Sequence, residues 1–115
     1  MPPALAARYA GELQRAVDDS SPGGWSALET AHVLAQPWAG AHARTHWLML
    51  RRGVRDRDAR EVAGQLVRLV VAGPGSLTGR YPVGNTGRAR VSATLPMTVP
   101  SELAVLLRDR RESRR

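Results

Sequence analysis

Prolines and glycines cut this chain into helix-sized pieces, and that punctuation limits its fold more than any other feature. Breakers stand at SSPGG (20–24), Pro37, Gly53 and GPG (73–75). Proline lacks a backbone donor and disfavours the helical conformation in the residue before it, while glycine marks helix ends. Between the breakers, apolar residues recur at helical spacing. Leu5, Tyr9, Leu13 and Val17 mark a first helix, entered through Pro2 and Pro3 and ending near Asp19. A second is predicted over 25–36 and a third over about 39–52. A fourth, capped by Asp56 or Asp58, is predicted to turn Ala59, Val62, Ala63, Leu66, Leu69 and Val70 toward the core and to stop at GPG.

Residues 73–100 carry four prolines and five glycines, which rules out one long helix. RARVSATL alternates enough for a strand, but a lone strand has nothing to pair with. The segment reads as an ordered wrap anchored by Leu77, Tyr81, Val83, Val91, Leu95 and Met97. PSELAVLL at 100–107 begins a short last helix. The expected fold is therefore all-α: a four-helix, bundle-like body with an antiparallel helical hairpin at its centre, a Pro/Gly-rich wrap and a short C-terminal helix. The 115 residues suit one domain, 1–108, with a basic tail at 109–115 expected to fray.

Bulk properties narrow the function. With no cysteine, disulfides, thiolate metal sites and cysteine nucleophiles are excluded. No apolar run approaches the length of a membrane span and the N-terminus does not read as a signal peptide, so a cytoplasmic protein is expected. The net charge is +7, of which RDRRESRR at 108–115 supplies five Arg against one Asp and one Glu. Such a tail is usually solvated, and nucleic-acid binding through Arg108 to Arg115 is not the expected use. A protein partner is carried as an alternative.

All three histidines fall between Glu29 and Met49. Trp25, Glu29, His32 and Gln36 share one stripe of the second helix; Trp38, His42, His46 and Met49 share one of the third. The remaining faces, Leu28, Ala31 and Ala35 on one helix and Ala43, Trp47, Leu50 and Val54 on the other, read as ordinary apolar surfaces. The link between the helices is a few residues around Trp38, so they should run antiparallel. Counted from Trp38, His32 then sits between His42 and His46 in height, with Glu29 level with His46. If the stripes face each other, three imidazoles and one carboxylate converge. Two histidines four apart on a helix, opposite Glu-x-x-His, give metal-site spacing. Three nitrogens and an oxygen suit a divalent transition metal: zinc first, then cobalt, nickel or iron. The candidate ligands are His32, His42 and His46, with Glu29 fourth or as an outer acceptor. The alternative is a non-catalytic interaction module whose histidines form a buried structural network.

No HExxH, Ser-His-Asp order or P-loop is present, and four protein ligands would leave no open position, so catalysis is not the expected use. GNTG at 84–87 reads as a tight turn, since no predicted helix follows it as a phosphate loop would require.

Together, ETAHVLAQ, HARTHWLML and GRYPVGNTGRARVSATLPMTVPSEL resemble a family of small bacterial proteins labelled only as a domain of unknown function. The resemblance runs from Tyr9 to Leu107. It rests on E-x-A-H-x-L-x-Q (Glu29 to Gln36), H-x-x-x-H-W-x-M (His42 to Met49), P-V-G-N-T-G (Pro82 to Gly87) and P-M-x-x-P (Pro96 to Pro100). It implies that the histidines and the GNTG segment belong to one design, and it implies no activity. Arg88-Ala89-Arg90 stand where smaller polar residues would be expected.

Overall fold

A computed structural model describes the backbone of residues 1–112 and side-chain burial to Asp109. Five helices follow one another: α1 Pro3–Asp18, α2 Pro22–Ala35, α3 Ala39–Arg55, α4 Ala59–Thr78 and α5 Ser101–Glu112. The described residues contain no strand, and the fold is an all-α, bundle-like one. The tightest pairings are α1 with α2 and α3 with α4; α2 packs on α3 and bridges them. No described helix is long and apolar enough to cross a membrane.

The breakers act more locally than their sequence suggests. SSPGG does not hold α2 off until Trp25. Ser21 caps the helix, accepting from the Gly23 N–H, and Pro22 takes the first helical position, where its missing donor costs nothing. Gly53 does not stop α3; it lies inside the helix, where a β-carbon would touch Glu61 and Val62 at 3.4 Å, so it lets α3 and α4 approach. Asp58, of the two expected aspartates, caps α4 through the Glu61 N–H. GPG does not stop α4 either. Pro74 is exposed within the helix, and the end comes at Gly79, in the left-handed conformation at φ 70°. α5 runs past Asp109 to Glu112; the rest of the basic tail lies outside the described residues.

The apolar core belongs to α1 and α2. Tyr9, Leu13, Ala16, Trp25, Leu28, Ala31 and Ala35 form one cluster with Met49 of α3. Leu5, Val33, Leu34 and Leu103 form a second, joining α5 to the same pair. Val17, the last residue of the expected α1 stripe, is 67% exposed, and Ala16 is buried instead. A spacing of four drifts about 40° per step against a 3.6-residue turn, so three steps carry Val17 out of the interface. Buried Arg52 fastens α3 to the α1–α2 turn by donating to the carbonyls of Asp19, Ser20 and Ser21.

α3 and α4 invert the expected pattern. Trp47 and Val54 of α3, read as core-facing, are 49% and 59% exposed. On α4, Leu66 and Val70 are exposed at 51% and 76%, Ala59 and Ala63 also face out, and the buried stripe is Glu61, Gln65, Arg68, Ala72 and Ser76. Few of the expected apolar anchors hold the wrap: Tyr81 and Val91 are half-buried, and Val99, not among them, packs on the second apolar cluster. Val83, Leu95 and Met97 are exposed, and Leu77 is on α4 and exposed. Asn85 and Arg88 hold the wrap down: the Asn85 amide donates to the Ser92 and Leu95 carbonyls, and Arg88 pairs with Glu61 and stacks 3.7 Å from the Trp25 ring.

Candidate metal centre

The polar stripe of α4 faces the two histidine-bearing helices, and the three imidazoles meet there. His32 of α2 and His42 and His46 of α3 are each at most 5% exposed. Their Nε2 atoms form a triangle with edges of 3.0 Å (His32–His46), 3.0 Å (His32–His42) and 3.2 Å (His42–His46).

The other ring nitrogen of each histidine fixes its tautomer. His32 Nδ1 lies 2.7 Å from the carbonyl oxygen of Asn85, which can only accept. His46 Nδ1 lies 2.7 Å from Gln65 Oε1, and the Gln65 amide is oriented by its donation to the Gly87 carbonyl at 2.7 Å. His42 Nδ1 lies 2.8 Å from Ser76 Oγ, whose single proton goes to the Gln36 carbonyl 2.5 Å away. All three Nδ1 atoms must therefore donate. In the neutral rings all three Nε2 atoms then carry bare lone pairs, aimed at one another across about 3 Å.

Burial pushes His42 and His46 down to about 4, with Gln65 opposing the shift at His46 and the Ala72 carbonyl opposing it at His42. His32 is held well below its ordinary value by burial and then by the other two histidines. At neutral pH the centre is thus three neutral imidazoles. Arg68 lies close enough for its charge to act on His32 and His46 in the same direction.

The wrap completes the site. Gln36 clamps its start, donating to the Pro82 carbonyl and accepting from the Gly84 N–H. The Asn85 side chain accepts from the Gly87 N–H, closing the GNTG turn under the His32 ring. Gly87 has φ 83°, and a β-carbon there would lie 2.7 Å from the His32 imidazole, so this position is closed to larger residues. The GNTG segment is thus a support for His32 and presents its carbonyl, not its amides, to the site. A cleft of about 690 Å³ opens from the triad between α4 and the wrap.

Glu29 stays apart. Its carboxylate lies 3.4 Å from Arg88 Nη1, and the ligand-capable cluster among the described residues contains the three histidines only. Three helical positions are about 300° of rotation, so Glu29 points about 60° round from His32, toward the wrap. Met49 is fully buried in the apolar cluster. Sequence reasoning missed Gln65 and Ser76, which orient His46 and His42. Their signal was the polar stripe Glu61, Gln65, Arg68 and Ser76, which recurs at helical spacing through an apolar helix.

The triangle fits a metal ion. Nitrogen ligands about 2.0–2.1 Å from zinc are about 3.3–3.4 Å apart in a tetrahedron and about 2.8–3.0 Å apart at right angles, and the observed edges lie between or at these limits. Each ligand is also oriented by an outer hydrogen bond, as metal-bound histidines usually are.

The model of a family described as "Protein of unknown function (DUF3703)" matches residues 4–107. No curated protein and no solved structure matches the chain.

Proposed function

The chain belongs to that family of proteins of unknown function, and since membership brings no activity with it, we propose from the site itself that the protein binds a divalent transition-metal ion through His32, His42 and His46. The observation that carries this reading is the tautomer set. Three acceptors that cannot donate to the rings force three Nε2 lone pairs to converge in a buried space. Lone pairs at this distance repel unless a cation lies among them. A purely structural network would need a proton on one Nε2, and so a buried imidazolium, which burial opposes.

An all-nitrogen donor set favours zinc, cobalt, nickel or ferrous iron over the softer thiophilic metals. Glu29 serves the site indirectly, by holding Arg88 and with it the wrap. A role in metal handling or sensing follows from a site that is preformed and reached through a cleft.

The test is elemental analysis of untagged protein after zinc loading and desalting. One ion per chain and a rise in the melting temperature are expected, because an ion that binds only the native state stabilises it. The His42→Ala, His46→Ala double variant should show neither. Substoichiometric metal in both proteins, with no thermal shift on adding zinc, cobalt or nickel, rejects the reading.

A further inference from the structure

Resting on that metal reading, we infer that the ion's remaining coordination position takes an exogenous organic carboxylate, bound in the cleft between α4 and the wrap. The first ground is that the described residues supply no fourth protein ligand. The polar side chains that orient the imidazoles and the wrap are already committed. Gln65 holds His46 and the Gly87 carbonyl, Ser76 holds His42 and the Gln36 carbonyl, and Gln36 and Asn85 hold the wrap. The open position must be filled from outside the chain.

Charge is the second ground. A divalent ion bound by three neutral imidazoles keeps its full charge. The cleft walls include Arg68 and Arg80 and no aspartate or glutamate. Arg68 is only 9% exposed, donates to the Gly64 and Val91 carbonyls, and forms no ion pair among the described residues. The Glu61 carboxylate acts on Arg68 only from beyond ion-pair distance, so a metal ion beside this guanidinium leaves an excess of positive charge that an anion in the cleft would offset. The cavity beside Trp25 shows the contrast: its two buried arginines are paired, Arg88 with Glu29 and Glu61 and Arg52 with Asp56, and the further cation there, Arg90, is exposed to solvent.

The third ground is the cleft's shape and lining. Its volume of about 690 Å³ is that of a small-molecule site. Val71, Ala72, Pro74, Ala93 and Pro96 line it, so a charged head at the metal would be followed by an apolar body. A monocarboxylate meets both demands, whereas inorganic phosphate meets only the first.

Cobalt-loaded protein tests this, because the visible absorption of cobalt(II) responds to a change of ligand. Acetate, butyrate, hexanoate and inorganic phosphate are titrated into it in turn. The carboxylates should shift the cobalt bands, and affinity should rise by about fourfold per added methylene while the cleft has room. Arg68→Met should weaken hexanoate by roughly tenfold or more while leaving cobalt affinity equal or higher, since a like charge near the ion has gone. Arg68→Lys should restore much of the carboxylate affinity. A merely structural arginine would lower both affinities together or neither. If Arg68→Met does not fold, the chain-length series and Arg80→Gln, at the exposed rim, carry the test, and the latter should also weaken hexanoate. Cobalt bands indifferent to carboxylates, phosphate binding as tightly as hexanoate, or affinity flat with chain length overturns the inference while leaving the metal reading intact. Absence of cobalt absorption overturns both.

Discussion

The two close helix pairs are built on opposite plans. Between α1 and α2 the interior is Leu5, Tyr9, Leu13, Leu28, Ala31 and Ala35, the ordinary arrangement in which burial of apolar surface drives packing. Between α3 and α4 the buried residues include His42, His46, Gln65, Arg68 and Ser76, while Leu66, Val67 and Val70 face out. α2 serves both, giving one face to the core and His32 to the centre. The first pair is stabilised by what it keeps from water. The second is held by hydrogen bonds that fix directions, and directional bonds hold a binding site where apolar contacts would only fill it. The comparison implies that stability and metal affinity are separable, each carried by its own half of the molecule.

Leu5→Ala should break the first half alone and have the largest effect on stability. Leu5 is 1% exposed among Val33, Leu34 and Leu103. Truncating a leucine so enclosed costs about 2–5 kcal/mol, counting the cavity left behind. Chemical denaturation of the metal-free protein should show that loss, and zinc titration of the folded variant should give an unchanged affinity. A parallel fall in zinc affinity would show that the two halves are coupled and defeat the comparison.

The pH dependence of the metal-free protein should come from the second half. In the unfolded chain each imidazole takes up a proton near its ordinary 6.5, whereas in the fold His42 and His46 do so only near 4 and His32 is likewise depressed. Between those values the unfolded chain holds more protons, so stability rises with pH there. As pH falls from about 6.5 toward about 4 the fold should lose stability progressively, and above that window the histidines should contribute no slope. Denaturation midpoints measured at closely spaced pH values check this. The His42→Ala, His46→Ala variant should be markedly flatter, and Leu5→Ala should run parallel to the native protein at lower stability.

How far the sequence could be read follows the same division. Breakers and apolar period together placed all five helices, and the residue count from Trp38 brought three histidines on two helices to one point. The rule that apolar residues face inward succeeded for Leu28, Ala31 and Ala35 and failed for Leu66 and Val70. It failed because α4 packs against a polar centre, and a hydrophobicity pattern does not carry what a helix will face. The breakers misled for a related reason. Pro74 lies on the exposed side of α4, where a missing hydrogen bond is tolerable, and the stop is a left-handed glycine five residues on. Stripe, spacing and height all put Glu29 beside the triad, but Arg88, from far along the chain, claims its carboxylate. Contacts of that range leave no periodic trace in a single sequence.

The smallest predicted effect is the sharpest test of the second plan. Gln65→Met keeps the bulk of the side chain and removes the acceptor that holds the His46 proton on Nδ1. Freed of that bond, His46 can move its proton to Nε2 or rotate, and either change spoils one corner of the triangle. Removing such an outer partner typically lowers metal affinity about 10- to 100-fold. Ser76→Ala should act in the same way through His42, with the added loss of the bond to the Gln36 carbonyl. Competition titrations against a chromophoric chelator would measure both. In the metal-free state Gln65→Met should still cost less than Leu5→Ala: it leaves the Gly87 carbonyl without its donor, while a proton moved onto His46 Nε2 relieves the lone-pair repulsion that the native tautomers enforce. A Gln65→Met protein with native zinc affinity would mean that His46 is oriented by packing, and the polar interior of α3 and α4 would then need another explanation.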